Sequence, residues 1–159
     1  MADETPEARR AKWLDQYDAG IAEAFLATNE KMTGLPEFLG VRFTKFAPGR
    51  LWAEMPVKPE VLTPFGNMHG GVLSALVDHV LGCVCYPHMK RGQWAATTEF
   101  KINLLAPVSR GVVVAEAEIV SLTRSTAVVC IRLDNEGRAV GVAQGTVLIR
   151  EPKGQGRPT

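Results

Sequence analysis

The sequence predicts an α+β domain, an antiparallel sheet wrapped around one apolar helix. A single long apolar run, residues 69–86, ends at Pro87 and has the length of a helix. A pair of strand-like segments precedes this run, and a series of strand-like segments follows it. Helices segregated from antiparallel strands are typical of α+β proteins, whereas regular alternation would indicate α/β.

The strand-like segments have clear boundaries. Residues 41–47 and 51–57 flank Pro48-Gly49 and predict a hairpin. After the helix, Trp94–Leu104 alternates in polarity, with Thr97 and Glu99 expected to share its more polar face. Segments 111–122, 126–133 and 138–150 complete a predicted antiparallel meander. The last segment has small residues at alternate positions, which leave space for another element or a ligand: Ala139, Gly141, Ala143 and Gly145.

The length of 159 residues fits one core domain, which we place at 34–151. A helical extension is expected over 1–33 and a flexible tail over 152–159. Within the extension, a stripe of residues spaced four apart predicts one helix from Glu7 to about Met32: Trp13, Tyr17, Ile21 and Phe25. We expect this stripe to pack on its own domain rather than on a partner.

Composition narrows the class of protein. Hydrophobic residues make up 46% and charged residues 22%, and the net charge is +1, which gives no footprint for nucleic acid or an anionic membrane. No apolar stretch is expected to reach the roughly 20 residues of a membrane span. The acidic N-terminus has no secretory apolar region. Three cysteines, an odd number, indicate reduced thiols and a cytoplasmic protein.

Asp78 is the single acid within the apolar run. A buried carboxylate is costly unless it is paired, protonated or used in chemistry, so Asp78 is either a structural acid or a catalytic one. Gly70 and Gly71 open the same helix, where free backbone N–H groups favour an anion. Eight positions separate Gly70 from Asp78, which is about 12 Å along a helix. If both act on one substrate, they come from two chains of a symmetric dimer with antiparallel helices.

Several motifs resemble those of one family. The sequence GNMHGG at 66–71, the acid at Asp78, Gly82 and the segment 97–107 resemble hotdog-fold acyl-CoA thioesterases of the PaaI-like (phenylacetate-degradation) group. The similarity covers about residues 40–150. It implies hydrolysis of an acyl-CoA by a homodimer or a dimer of dimers. CoA is then part of the substrate, and no cofactor or metal is implied.

The resemblance also assigns roles to residues of this chain. The N–H of Gly70 polarises the thioester carbonyl, and Asp78 acts as general base or as nucleophile. Thr97 helps to position the water, and His69 supports the loop or the thioester. The family has an asparagine six residues before this histidine, whereas this chain has Thr63.

Four further positions are candidates for substrate binding. Asn67 and Gly71 flank His69, and Asn67 is not assumed to replace the missing asparagine. Arg124 and Ser125 stand at a strand junction, where they contact the phosphates of the carrier or form an ordinary turn.

Other site chemistries are weaker. Cys83 and Cys85 diverge by about 200° on a helix, so together with His88 they are a poor metal site. Ser74 has no base at a helical spacing, and His79 does not face its neighbour Asp78. Two alternatives remain: a hydratase or dehydratase on the same fold, which would pair a histidine with an acid, and an acyl-CoA-binding module without activity.

Overall fold

The computed structural model describes residues 5–151, which form four α-helices and six strands. The helices are α1 (Pro6–Leu14), α2 (Ala19–Ala27), α3 (Leu35–Leu39) and α4 (Gly70–Cys83). The strands are β1 (Arg42–Ala47), β2 (Arg50–Pro56), β3 (Trp94–Leu104), β4 (Val112–Leu122), β5 (Thr126–Asn135) and β6 (Arg138–Arg150). The α+β class is confirmed, as is the place of each predicted strand in the sequence.

The strands form one antiparallel sheet in the order β1-β2-β4-β5-β6-β3. The predicted meander is therefore wrong for β3, which pairs with β6 at the far end of the sheet instead of with β4. Alternation along a strand shows which of its faces is apolar, but it carries no information about which neighbour the strand pairs with. The position of β3 leaves one of its edges open.

The N-terminal segment forms two helices instead of the predicted single one. Asp18 ends the continuity because its carboxylate accepts a hydrogen bond from the N–H of Ile21 at 3.1 Å and caps α2. The apolar stripe packs on its own domain, as expected: Trp13 is buried, and the Phe25 ring contacts the ring of Phe43. The domain boundary at 33/34 stays a prediction, and the predicted tail at 152–159 lies outside the described residues.

Helix α3 was not predicted. The N-terminal helix was predicted to end at about Met32, and this short helix begins soon after, immediately after Gly34, with Pro36 in its first turn. It ends at Gly40, whose φ of 74° is the left-handed conformation that glycine adopts without strain. A five-residue helix is too short to show a periodic apolar pattern, which is why the sequence did not reveal it.

Helix α4 packs one side against the sheet. The residues of that side are buried: Leu73, Leu76, Val77, Val80 and Leu81. The opposite side stays open and is formed mainly by small residues around one acid: Gly71, Ser74, Ala75, Asp78 and Gly82. The sheet is wrapped around the helix from one side, because one six-stranded sheet covers only one side of a helix.

The apolar run that contains α4 is longer than expected, because the sequence predicted no stretch as long as a membrane span. The stretch Gly70–His88 has 19 residues and a mean hydropathy of 1.3, enough to cross a membrane by length and composition alone. In the structure this stretch is the core helix of the domain, with its apolar side packed on the sheet. The helix ends at Cys83, before the predicted end at 86, and a 3₁₀ turn at Tyr86–His88 follows it.

The small residues of β6 are explained by packing within the chain. A Cβ at Gly145 would collide with the Leu81 side chain of α4, and one at Gly141 would lie 3.0 Å from Cδ1 of Leu133. The space expected for another element or a ligand is thus occupied by elements of the same domain. Gly145 lets α4 lie close to the sheet, and Gly141 leaves room for the Leu133 side chain of β5.

Candidate active site

The start of α4 carries a free backbone donor. His69 caps the helix, since its Nδ1 accepts a hydrogen bond from the N–H of Gly71 at 3.2 Å. The N–H of Val72 donates to the carbonyl of His69 at 2.9 Å. Within residues 5–151, no acceptor binds the N–H of Gly70. The helix dipole and this unpaired donor together favour negative charge beside Gly70.

Asp78 lies on the open side of α4 and is exposed in the single chain. For the single chain, the expectation that Asp78 is buried is wrong, because its carboxylate lies on the side opposite the buried face of the helix. Asp78 is two helical turns beyond Gly70 on the same helix. Within one chain, the Asp78 carboxylate and the Gly70 N–H are therefore as far apart as the sequence predicts.

A groove runs along α4 between this helix and α3. Near the helix start it is lined by His69, Gly71 and the exposed Phe38, with a volume of about 360 Å³. It continues into a smaller pocket of about 180 Å³ that contains Asp78 and His79. The two parts share three lining residues: Leu35, Leu39 and Ala75. The groove therefore joins two of the predicted catalytic residues along one apolar wall.

His79 is the residue of this groove that sequence reasoning discounted. Its ring stacks on Phe43 of β1, with ring centroids 5.3 Å apart and an angle of 7° between the planes. Its Nε2 is buried, and no described residue is within hydrogen-bonding reach. Burial lowers the pKa of His79, and the charge of Asp78 opposes that shift. His79 was set aside because it does not face Asp78, but both side chains line the same pocket.

Thr97 and Glu99 do not share a face of β3, contrary to expectation. A β-bulge shifts the register between them, so that Thr97 pairs with Val147 while Glu99 pairs with Thr146. Val147 is fully buried on the side of the sheet that faces α4, and cross-strand partners share a face. Thr97 therefore lies on the inner face. Glu99 lies on the outer face, where it accepts a hydrogen bond from the Thr146 hydroxyl at 2.6 Å.

Thr63 and Asn67 close the loop that precedes α4. The N–H of Thr63 donates to the carbonyl of Asn67 at 2.7 Å, and the N–H of Gly66 donates to the carbonyl of Thr63 at 2.9 Å. The Thr63 hydroxyl accepts from the N–H of Phe65 at 3.3 Å. This turn holds the hydroxyl within the loop, while Phe65 at the tip is 90% exposed. The structure brings Thr63 and Asn67 to each other, and neither lines the groove.

Arg124 and Ser125 lie in the turn between β4 and β5, away from the groove. The turn is closed by the Thr123 hydroxyl, which accepts hydrogen bonds from the N–H groups of Ser125 and Thr126. Arg124 lines a cleft of about 540 Å³ that also contains Lys12 and Lys90. Three cationic side chains and one acid, Glu151, line this cleft, so its lining is cationic overall.

Cys83, at the end of α4, and Cys85, in the turn that follows it, are thiols packed against the core. Burial raises the pKa of Cys83 to about 12, with a further contribution from the charge of Asp78. Burial likewise raises the pKa of Cys85 to about 12, with a further contribution from Cys83. Thiols with such pKa values are inert near neutral pH. The hydroxyl of Ser74 donates to the carbonyl of Gly70 at 3.0 Å, a bond within the helix.

The comparisons with known proteins agree with the fold and the motifs. A model of the thioesterase superfamily matches residues 65–142. The chain is 31% identical to a putative esterase of Pseudomonas aeruginosa over 115 residues, 71% of this chain and 79% of that protein. It is 26% identical to the 1,4-dihydroxy-2-naphthoyl-CoA hydrolase of Listeria monocytogenes over 121 residues, 76% of this chain and 98% of that protein.

The fold has a close structural match as well. The PaaI protein of the phenylacetic acid degradation operon of E. coli superimposes with a TM-score of 0.75 over 84% of this chain and 96% of that chain. At 20% identity this match speaks for the fold alone. The architecture is therefore that of hotdog-fold hydrolases. The chain belongs to the thioesterase superfamily, and it is a thioester hydrolase.

Proposed function

We propose that the protein hydrolyses acyl-CoA thioesters to a free acid and CoA. The observation that carries this proposal is the unpaired N–H of Gly70 at the start of the helix that also bears Asp78. Water adds to the thioester carbonyl while the Asp78 carboxylate takes its proton. The carbonyl oxygen becomes an oxyanion, the carbon–sulfur bond then breaks, and the thiolate of CoA leaves and is protonated.

The Gly70 N–H stabilises the oxyanion of this intermediate. A donor fixed in advance at a helix start supplies positive potential without reorganisation. Removing one such donor typically lowers the rate by about 100- to 1,000-fold. His69 supports this geometry by capping α4, and Thr97, on the inner face of β3, is proposed to position the water.

We propose that the two groups come from different chains of a dimer. Within one chain they are separated by about 12 Å of helix, too far for one carbonyl. The open side of α4 carries small residues on both sides of Asp78, which would let a second helix lie close. Strand β3 has an open edge of 11 residues with Trp94 exposed, and an edge of this kind is normally covered. An antiparallel copy would cover both features.

We assign the phosphates of CoA to the cleft that is lined by Arg124 and Lys90. Arg124 can form bidentate hydrogen bonds with a phosphate, and Lys90 adds positive charge in the same cleft. Ser125 is next to Arg124 in the turn. Thr63 and Asn67 shape the loop before α4, and Gly71 offers a wall without a side chain. The Listeria relative acts, by its name, on a CoA ester, which supports CoA as the carrier.

A subunit-mixing experiment tests the shared site. Gly70→Pro removes the N–H at a position whose backbone suits proline, since Gly70 is the first helical residue and His69 before it is extended, and the added Cβ meets only the movable end of the exposed Leu104 side chain. Asp78→Asn removes the base but keeps the size of the side chain. Each variant alone is expected to lose at least about 100-fold in thiol release. Co-refolded at equal amounts, they should regain about one quarter of wild-type activity, because a quarter of the shared sites then carry neither substitution.

Four results would reject the proposal or a part of it. A mixture that stays inactive places both groups in one chain, provided that each variant still forms the wild-type oligomer by light scattering. Wild-type thiol release by the Asp78→Asn protein rejects the role of the acid. Hydration of an enoyl-CoA without thiol release would indicate a hydratase, and tight acyl-CoA binding without any turnover would indicate a binding module.

A further inference from the structure

Helix α1 forms one wall of the cationic cleft, whose volume is about 540 Å³. Lys12 lines the cleft from α1, Lys90 from the segment before β3, and Arg124 from the turn between β4 and β5. The segment that matches the thioesterase superfamily is 65–142, so α1 lies outside it. This wall is therefore an addition to the matched part of the domain.

Two contacts fix the part of α1 that carries Lys12. On one side of Lys12, the Arg10 guanidinium donates a hydrogen bond to the carboxylate of Glu118 at 2.8 Å and forms an ion pair with it. On the other side, Trp13 is only 5% exposed, and its carbonyl is bonded to Nδ1 of His88 at 3.0 Å. The helix therefore holds Lys12 at a defined place beside the cleft.

The charges of the cleft favour an anionic ligand with more than one phosphate. Its single acid, Glu151, accepts a hydrogen bond from Nε2 of Gln93 at 2.8 Å. Within residues 5–151, no acidic side chain forms an ion pair with Lys90 or Arg124. Cations on separate elements around one concave surface concentrate their field on a ligand inside it. Guanidinium and ammonium groups both bind phosphate.

The cleft lies beyond the end of α4 that follows Asp78. The helix continues for only five residues after Asp78, about 8 Å, and ends at Cys83. The chain then turns at Tyr86–His88, and His88 already lines the cleft. A substrate whose thioester is at Asp78 can therefore extend its carrier past the end of the helix into the cleft.

We propose that Lys12 of α1 is a specificity-determining residue that binds a phosphate of the CoA nucleotide. It thereby makes the enzyme select acyl groups on CoA over the same acyl groups on a phosphopantetheine arm without a nucleotide. This inference rests on the proposed hydrolysis of acyl-CoA. The nucleotide of CoA adds further phosphates to the phosphopantetheine arm, and these phosphates pair with the cations of the cleft. Without the nucleotide, Lys12 contributes nothing to the binding of substrate.

The test compares kcat/KM for one acyl group carried by CoA with kcat/KM for the same acyl group carried by free 4′-phosphopantetheine. Wild type is expected to prefer the CoA ester by roughly tenfold to a hundredfold, because only this ester brings nucleotide phosphates into the cleft. Lys12→Gln should reduce the preference by about threefold to tenfold, mainly through a higher KM for the CoA ester. Lys12→Glu should reduce it further, since a carboxylate repels phosphate. Both losses should shrink at high salt, which screens exposed charges.

A matched control is Lys31→Gln, because Lys31 is also an exposed lysine but does not line the cleft. It should leave the preference unchanged. A wild-type enzyme without a preference for the CoA ester, or a preference that Lys12→Glu retains in full, overturns the inference while thioester hydrolysis stands. An equal rise of KM for both substrates in the Lys12 variants also overturns it, because that result indicates a structural role of the residue. Absence of thiol release from both substrates by wild type would instead reject the proposed function.

Discussion

His69 and Gly71 are joined by a hydrogen bond of 3.2 Å from the N–H of Gly71 to Nδ1 of His69. This bond uses the second N–H of α4 and leaves the first, that of Gly70, available. The histidine of the motif therefore has a structural task that the motif alone does not show. It caps the start of α4 next to the free N–H of Gly70.

The capping bond predicts separate effects of two substitutions at His69. Because His69→Ala removes the acceptor, it should lower the free energy of unfolding by about 1 kcal/mol. His69→Asn keeps a capping side chain and should stay within a few tenths of a kcal/mol of wild type. Urea unfolding measures both. Equal stability of the two variants would contradict the capping role, and a large loss of kcat in His69→Asn alone would indicate a direct contact with the thioester.

Gly70 has a steric reason to be glycine as well as a chemical one. A Cβ at this position would lie 2.6 Å from Cδ1 of Leu104. Since Leu104 is 53% exposed, its side chain can turn away, and Gly70→Ala should change the free energy of unfolding by less than about 1 kcal/mol. The added methyl group should still lower kcat/KM by about 100-fold, because it displaces the carbonyl from the N–H.

The double variant Gly70→Ala/Leu104→Ala separates these two reasons. If the glycine is needed for the approach of substrate, truncating Leu104 restores no activity. Recovery of the rate in the double variant would instead show that Gly70 serves the packing of Leu104. Thiol release from one acyl-CoA, measured for wild type, both single variants and the double variant, completes the cycle.

The cysteines predict a simple labelling pattern. Burial raises the pKa of Cys83 and of Cys85 to about 12, so both stay as thiols at pH 8, although Cys83, like Cys130, is partly exposed. At pH 8 a disulfide reagent should label one thiol of the native chain rapidly and all three after unfolding. The Cys130→Ser variant should show almost no rapid labelling. Rapid labelling of Cys83 or Cys85 in the native protein would contradict the packing of α4.

His88 predicts how stability changes with pH. Its Nε2 accepts a hydrogen bond from the N–H of Gly49 at 2.8 Å, and burial lowers the pKa of His88 from its ordinary value of 6.5. The unfolded chain therefore binds the proton more readily than the folded chain does. The contribution of the neutral ring is complete above pH 6.5 and is lost as the pH falls through the lowered pKa of the folded state.

Urea unfolding between pH 8 and pH 5 measures this effect. The free energy of unfolding of wild type should fall below about pH 6.5. Burial also lowers the pKa of His79, which therefore contributes in the same direction. The informative quantity is thus the difference in the free energy of unfolding between wild type and His88→Gln. That difference should shrink as the pH falls. A difference that is independent of pH would contradict a neutral, hydrogen-bonded His88.

The sequence predicted more of the fold than of the site. The bounds of β3 and the strand that ends at Arg150 followed from alternation and turn residues. Asp18 and the bulge near Thr97 were missed, because each is a local hydrogen-bonding or register event inside an otherwise regular pattern. The stacking of His79 on Phe43 was also missed, because β1 is distant from His79 in sequence.

The sequence by itself determined the class of the domain, the strand segments and the helix that joins Gly70 to Asp78. These follow from periodicity and from motif spacing, which are properties of consecutive residues. Only the tertiary structure decided that Asp78 lies on the open side of α4, that β3 pairs with β6, and that α3 forms a groove with α4. Those outcomes depend on which surfaces meet across the chain, and such contacts leave no periodic signal in the sequence.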